Sequence, residues 1–347
     1  MERENAWKSY SDKDLDKLEK LSSDYIEFIS ENKTERECVN ASITMAEKAG
    51  YKPLAKAIKK QRKLKAGDKV YAQTHGKALI LAVLGTDPLE DGFNILGAHI
   101  DSPRLDAKQN PLYENTDIAL LDTHYYGGIK KYQWTCIPLA LIGVVYTKDG
   151  RKVEINIGLK DSDPVFYISD LLIHMAQDQM KKSLAEGITG EQLQPIIATN
   201  SDENQKPKEA LMKMFKDTYG IEEEDFAAAE LELVPAEKSR DVGFDRSLIA
   251  SYGQDDRVCS YANLEAILDA KPGVKTQAAL LTDKEEIGSY GNTGMESSYF
   301  VKFVMKLLSL QGQNTILDFY ETMENSEMLS ADVNSCLDPM FPEVSEK

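Results

Sequence analysis

Two apolar runs, "KALILAVLG" at 77–85 and "FNILGAHI" at 93–100, constrain this chain more than any other feature. They read as strands joined by the turn-rich "TDPLEDG". Ahead of them, residues 11–31 carry Leu, Tyr, Ile and Phe at helical spacing, and 34–49 repeat that character before Gly50. Helices followed by apolar strands open an α/β domain. From 241 the same pattern resumes: "DRVCSYANLEAILDA" is helical, "TQAALLTD" is a short buried strand and "SSYFVKFVMKLLSLQ" is an apolar-faced helix.

Between these stretches the character changes. "TCIPLALIGVVYTKDGRKVEINIGL" reads as a hairpin turning at Asp149-Gly150. "DLLIHMAQDQMKKSLAEG" reads as helix, "SDENQKPKEALMKMFKDTYG" as a polar loop running into helix, and "AELELVPAEK" as a strand. The expected organisation is a first domain from 1–106 and 241–347, with an inserted second domain at 107–240. At 347 residues the chain is long enough for two such units.

Composition excludes some function classes. A net charge of −17 with a pI near 4.8 disfavours nucleic-acid partners, which select a basic face. No run approaches the roughly 20 apolar residues of a membrane span, and the charged N-terminus has no signal-peptide core. The four cysteines, Cys38, Cys136, Cys259 and Cys336, are scattered without a CxxC pair. They read as reduced thiols of a cytoplasmic protein.

Four short acidic motifs carry the candidate chemistry. His99 and Asp101 alternate onto one face at the C-terminal end of an apolar strand, where open α/β sheets place ligands. A carboxylate there fixes the tautomer of a metal-bound imidazole; the plainer alternative is a histidine beside a turn-forming acid. Asp255 and Asp256 precede an amphipathic helix, which suits either helix capping or a carboxylate bridging two metal ions. Glu285 and Glu286 follow the strand ending at Asp283. Such a pair suits one metal ligand and one general base, or a solvated turn. Asp332, in "MLSADVNS", alone reads as a helix start. HxD, DD, EE and a later Asp, in that order on one α/β framework, form the ligand set of a two-metal hydrolase.

"GAHIDSP", "YYGG" at 125–128, "DDR", "DKEEIGS" and "LSADV" run in the same order as in the aspartyl-aminopeptidase family of zinc metallopeptidases, which this chain resembles across nearly its whole length. "HYYGGIKKYQW" is similar to the bacterial branch. The resemblance implies a zinc-aminopeptidase-like α/β/α sandwich with an inserted, mostly-β dimerisation domain. It implies that His99 binds one zinc, Asp255 bridges two, Glu286 binds the other and Asp332 completes the His99 site. Glu285 is then the general base that takes a proton from the attacking water, and Asp101 orients His99. His174, in "DLLIHMA", matches a histidine offered to a neighbouring subunit, whose oxyanion it would stabilise. The resemblance also implies a cis Asp255–Asp256 peptide, a homododecamer assembled through 107–240, peptide substrates, and cobalt or manganese as alternatives to zinc.

Two departures qualify this. Family chains run further and supply a last metal-binding histidine, whereas no histidine follows His174 here. The Glu286–Asp255 site is then expected to be weak, and the reading is of a chain lacking the family's final segment. Asn334, Ser335 and Cys336 also stand where animal members carry histidines, so a preference for acidic N-terminal residues does not carry over. The rival functions are a catalytically silent assembly subunit of the same fold and a related metal-dependent deacylase.

Overall fold

The computed structural model describes residues 4–200 and 205–344. The chain begins with helices α1 (Asp12–Glu31) and α2 (Glu35–Lys48), each started by a capping box, Ser11 with Asp14 and Thr34 with Glu37. A two-residue strand β1 (Lys52–Pro53) and helix α3 (Leu54–Lys59) lead into β2 (Lys69–Thr74), β3 (Ala78–Val83) and β4 (Phe93–His99). Strands β5 (Arg104–Asn115), β6 (Ile118–Tyr126), β7 (Leu139–Tyr146) and β8 (Lys152–Ile157) follow. After them come a one-turn helix α4 (Leu184–Gly187), β9 (Ile196–Ala198), α5 (Pro207–Tyr219) and β10 (Ala229–Pro235). A small hairpin of β11 (Arg240–Val242) and β12 (Leu248–Ala250) returns the chain to α6 (Gln254–Asp269), β13 (Thr276–Thr282), α7 (Tyr299–Gln311), α8 (Ile316–Glu324) and β14 (Glu327–Ser330).

The strands form two six-stranded sheets. The first has the order β1-β2-β3-β13-β4-β14 and the second, antiparallel throughout, β8-β7-β10-β5-β6-β9. All six residues of β3 are buried, because the first sheet is covered on both faces. Ile80 and Ala82, with Ala278 and Leu280 of β13, pack against Phe303, Val304 and Leu307 of α7. Their alternating neighbours Leu79, Leu81, Ala279 and Leu281 pack against Val39 of α2 and Leu264 and Ile267 of α6. Period-two alternation thus feeds two helical layers, an α/β/α sandwich. The second sheet has its own core, in which Leu105, Leu141 and Leu233 meet Phe215 and Phe226.

One expected element is corrected. The stretch 170–187 is not a continuous helix: it breaks into isolated single turns at Ile173–Met175, Gln179–Lys181 and Leu184–Gly187. Its apolar side chains find no layer to cover them, and Leu172 and Met175 remain 73% and 72% exposed. Helical spacing without a packed face does not hold a helix. The polar stretch before α5 lies partly, at residues 201–204, outside the described residues.

Candidate active site

Register in the first sheet creates the site. Strands β13 and β14 flank β4 and run parallel to it, with Thr282 opposite His99 and Ser330 opposite Gly97. The three strands therefore end at one edge. His99, the Glu285–Glu286 turn and Asp332 emerge there together, at the carboxyl ends where α/β sheets hold ligands. Asp332 leaves a strand rather than starting a helix.

The start of α6 closes the edge from above. Ser260 Oγ donates to the His99 carbonyl at 2.7 Å, the buried Arg257 Nε to the Ile100 carbonyl at 3.0 Å, and Ser102 Oγ to the Asp255 carbonyl at 2.8 Å. Asp255 and Asp256 depart from helical dihedrals, and the peptide between them is cis. Gly253, at φ +80°, accommodates the Arg257 guanidinium; a Cβ there would stand 2.4 Å from it.

His99 is 3% exposed and its ring orientation is set from behind. Nδ1 lies 3.0 Å from the Asp101 carbonyl and 3.3 Å from its Oδ1, so it carries the proton. Nε2 then points forward into the cluster. It has no hydrogen-bond partner, yet Asp255 Oδ1 is 3.2 Å away, Glu285 Oε2 3.8 Å and Asp332 Oδ1 3.9 Å. Burial alone would lower the His99 pKa, but the bond to Asp101 and the surrounding acids raise it to about 9. Burial, then repulsion from Asp255, lifts Glu286 to about 7. Acids crowded around one imidazole contribute to both shifts.

Asp101 is the hub. Fully buried, it accepts the backbone N–H of Glu285 at 3.3 Å and of Glu286 at 3.2 Å, besides its contact with His99. Glycine supplies the clearance on the far side. Gly127 of "YYGG", at φ +71°, passes so close to Glu286 that a Cβ would sit 3.2 Å from the Glu286 Cβ.

The structure thus brings together His99, Asp101, Asp255, Glu285, Glu286 and Asp332. It does not bring His174, which is exposed on the irregular 170–187 segment and makes no ion pair or hydrogen bond to the cluster. It adds two side chains to which sequence reasoning assigned no role. Ligand atoms of His99, Asp256 and Asp332 lie within 4.8 Å of one another. Asp256 is fully buried beside the Cys259 thiol, its carboxylate oxygens otherwise without partners, and burial pushes it up to about 6. Tyr126 reaches in from the second sheet to bond Asp101. The adjacent "DD" was the available signal for Asp256, and the "YYGG" motif contains Tyr126 without pointing to its partner.

A bare imidazole nitrogen ringed by carboxylates is a donor set for a divalent cation of the zinc type, so the residues fit a metal. Fold and site together define a metallohydrolase of the α/β class. Residues 28–347 match the Aminopeptidase I zinc metalloprotease (M18) family, and the chain belongs to that family of zinc aminopeptidases. It is 51% identical over 350 residues to a probable M18 family aminopeptidase 1 of Clostridium acetobutylicum, covering all of this chain and 75% of that one. The corresponding protein of Thermotoga maritima is 43% identical over 356 residues, with the same coverage. The crystal structure of an M18 aminopeptidase from T. maritima superposes with a TM-score of 0.92 at 41% identity, covering 100% of this chain and 75% of that one. A dodecameric aminopeptidase 1 of yeast, at 22% identity and a TM-score of 0.74, covering 95% of this chain and 75% of that one, shares the fold.

Proposed function

We propose that this chain removes the N-terminal residue from peptides at a two-zinc centre built on His99, Asp255, Glu286 and Asp332. His99, Asp255 and Asp332 would hold one ion, and Asp255 with Glu286 the second. The observation that carries the reading is the unpartnered Nε2 of buried His99 facing three carboxylates within 3.9 Å. When bound, zinc supplies Lewis-acid activation of water and of the scissile carbonyl at neutral pH; cobalt or manganese suits the same donors. The buried carboxylate of Asp256, which has only the Cys259 thiol beside it, favours it as a further ligand on the His99 side.

The chain's own residues do the rest. Asp101 holds the His99 ring so that Nε2 faces the cluster. Glu285, half-exposed at the mouth, takes a proton from the attacking water as the C–O bond forms, and returns it to the leaving amine as the C–N bond breaks. The half-exposed carboxylates of Asp255, Glu285 and Asp332 make the mouth attractive to a free α-ammonium group. That favours an aminopeptidase over a deacylase.

The second sheet, with its separate core, serves in this reading as the inserted self-association domain of residues 107–240. Its exposed apolar segment at 171–175 supports that role and carries His174 toward a neighbouring subunit's oxyanion, in a dodecamer. Four cysteines without a disulfide among the described residues suit the cytoplasm, and no described helix is long and apolar enough to cross a membrane.

Glu285→Gln tests the reading against that of a silent assembly subunit. The variant should bind zinc like the wild type and lose about 10²–10⁴-fold in turnover. Unchanged turnover would remove Glu285 from the mechanism.

A further inference from the structure

Tyr126 ends β6 and so belongs to the second sheet, yet its hydroxyl donates to Asp101 Oδ2 of the first unit at 2.6 Å. It is the shortest hydrogen bond Asp101 receives. The same oxygen takes the Glu286 N–H at 3.2 Å, and Oδ1 takes the Glu285 N–H and faces His99 Nδ1, both at 3.3 Å. The Tyr126 ring is held in turn: the Arg104 guanidinium carbon lies 3.9 Å from its centroid. Arg104 is buried and tied to Asp106 at 2.8 Å, Glu232 at 3.2 Å and Glu35 at 3.4 Å. Burial and the Asp101 charge push the phenol far above its ordinary value, so the hydroxyl keeps its proton and acts only as a donor.

We propose that Tyr126 is a positioning residue. Its hydroxyl locks Asp101, and through Asp101 sets both the His99 ring and the Glu285–Glu286 backbone. The second sheet thereby contributes to the shape of the metal site within one subunit. This rests on the two-zinc reading above. Without the hydroxyl, a buried carboxylate loses its best donor and gains freedom to turn, and the imidazole it orients turns with it.

Tyr126→Phe removes one atom and keeps the ring under Arg104. Zinc affinity, read by competition with a chromophoric chelator, should fall by about 10–100-fold. The visible absorption of the cobalt-loaded protein should change, and kcat should fall with KM nearly unchanged. A purely structural role would lower the melting temperature and leave the cobalt spectrum as it was. Should the Phe variant fail to fold, 3-fluorotyrosine placed at position 126 keeps the shape and strengthens the donor, and must also shift the cobalt spectrum. A folded Phe variant with wild-type zinc affinity and cobalt spectrum overturns the inference, as does an unshifted fluorotyrosine protein. His99→Ala separates the two claims. If it binds zinc like the wild type, the metal reading has failed; if it loses zinc while Tyr126→Phe does not, only the role of Tyr126 has failed.

Discussion

His99 Nε2 and Asp255 Oδ1 face each other across 3.2 Å, one from the end of a strand and the other from the non-helical start of α6. His99 Nε2 has no hydrogen-bond partner and faces this carboxylate with those of Glu285 and Asp332, and in the reading proposed above the pair would hold zinc. Replacing His99 by Ala should reduce zinc affinity by more than the roughly 100-fold upper range seen for outer-shell changes. Isothermal titration of the metal-stripped protein reads this. Equal affinity in wild type and variant would contradict the assignment.

The two sheets are joined by a buried charge network. Lys77, in the turn between β2 and β3, lies 2.6 Å from Glu35 Oε1 and also pairs with Glu230 of β10. Burial would raise the Glu35 carboxyl, but Arg104 and Lys77 hold it well below its usual range. Lys77→Met leaves that buried charge with Arg104 alone, which is shared with Glu232 and Asp106. The variant should be less stable by about 3–5 kcal/mol in denaturant unfolding. A change within about 0.5 kcal/mol, the level of an unimportant surface site, would show the network to be dispensable.

Lys33 is another buried cation, fully enclosed and donating to the Glu237 carbonyl at 2.8 Å. Burial, with Arg257 nearby, lowers its pKa from 10.5 to about 8. Between those values the unfolded chain holds a proton that the native chain does not. Stability therefore rises with pH across that window. The stability of wild type relative to Lys33→Met should climb from pH 8 to about 10.5, by on the order of 3 kcal/mol. A flat difference would mean that Lys33 titrates normally.

The exposed run Leu171, Leu172, Ile173 and Met175 has no cover within the chain. If a second copy covers it, Leu172→Glu with Met175→Glu should shift the protein to smaller species in sedimentation velocity. An unchanged distribution would exclude this segment from the contact.

How much of this was legible in sequence depended on where each residue's partners lie. β3, β4 and β13 read as strands because their apolar residues run without interruption, and burial on both faces is the reason they do. β2 was hidden, since its half-buried "KVYAQT" sits inside a basic stretch. β14 was missed because only four residues pair, all exposed. The 170–187 segment misled because apolar spacing reports a face that must be covered without saying by what. His99, Asp101, Asp255, Glu285, Glu286 and Asp332 stood out as short acidic motifs in family order, and the ends of the parallel strands together with the start of α6 bring them to one edge. Tyr126 was in view within "YYGG", but its role was not, because its hydrogen bond to Asp101 crosses between two sheets. Asp256 stood beside Asp255 in plain view, but only burial distinguishes the two.

The most direct measurement is hydrolysis by the zinc-loaded chain of peptides with a free N-terminus against the same peptides N-acetylated, across acidic, basic and aliphatic first residues. Release of the first residue from free-amine substrates alone, abolished by Glu285→Gln and by His99→Ala, is the predicted result. Cleavage of the acetylated series, or silence in a folded, zinc-loaded protein, would contradict the account.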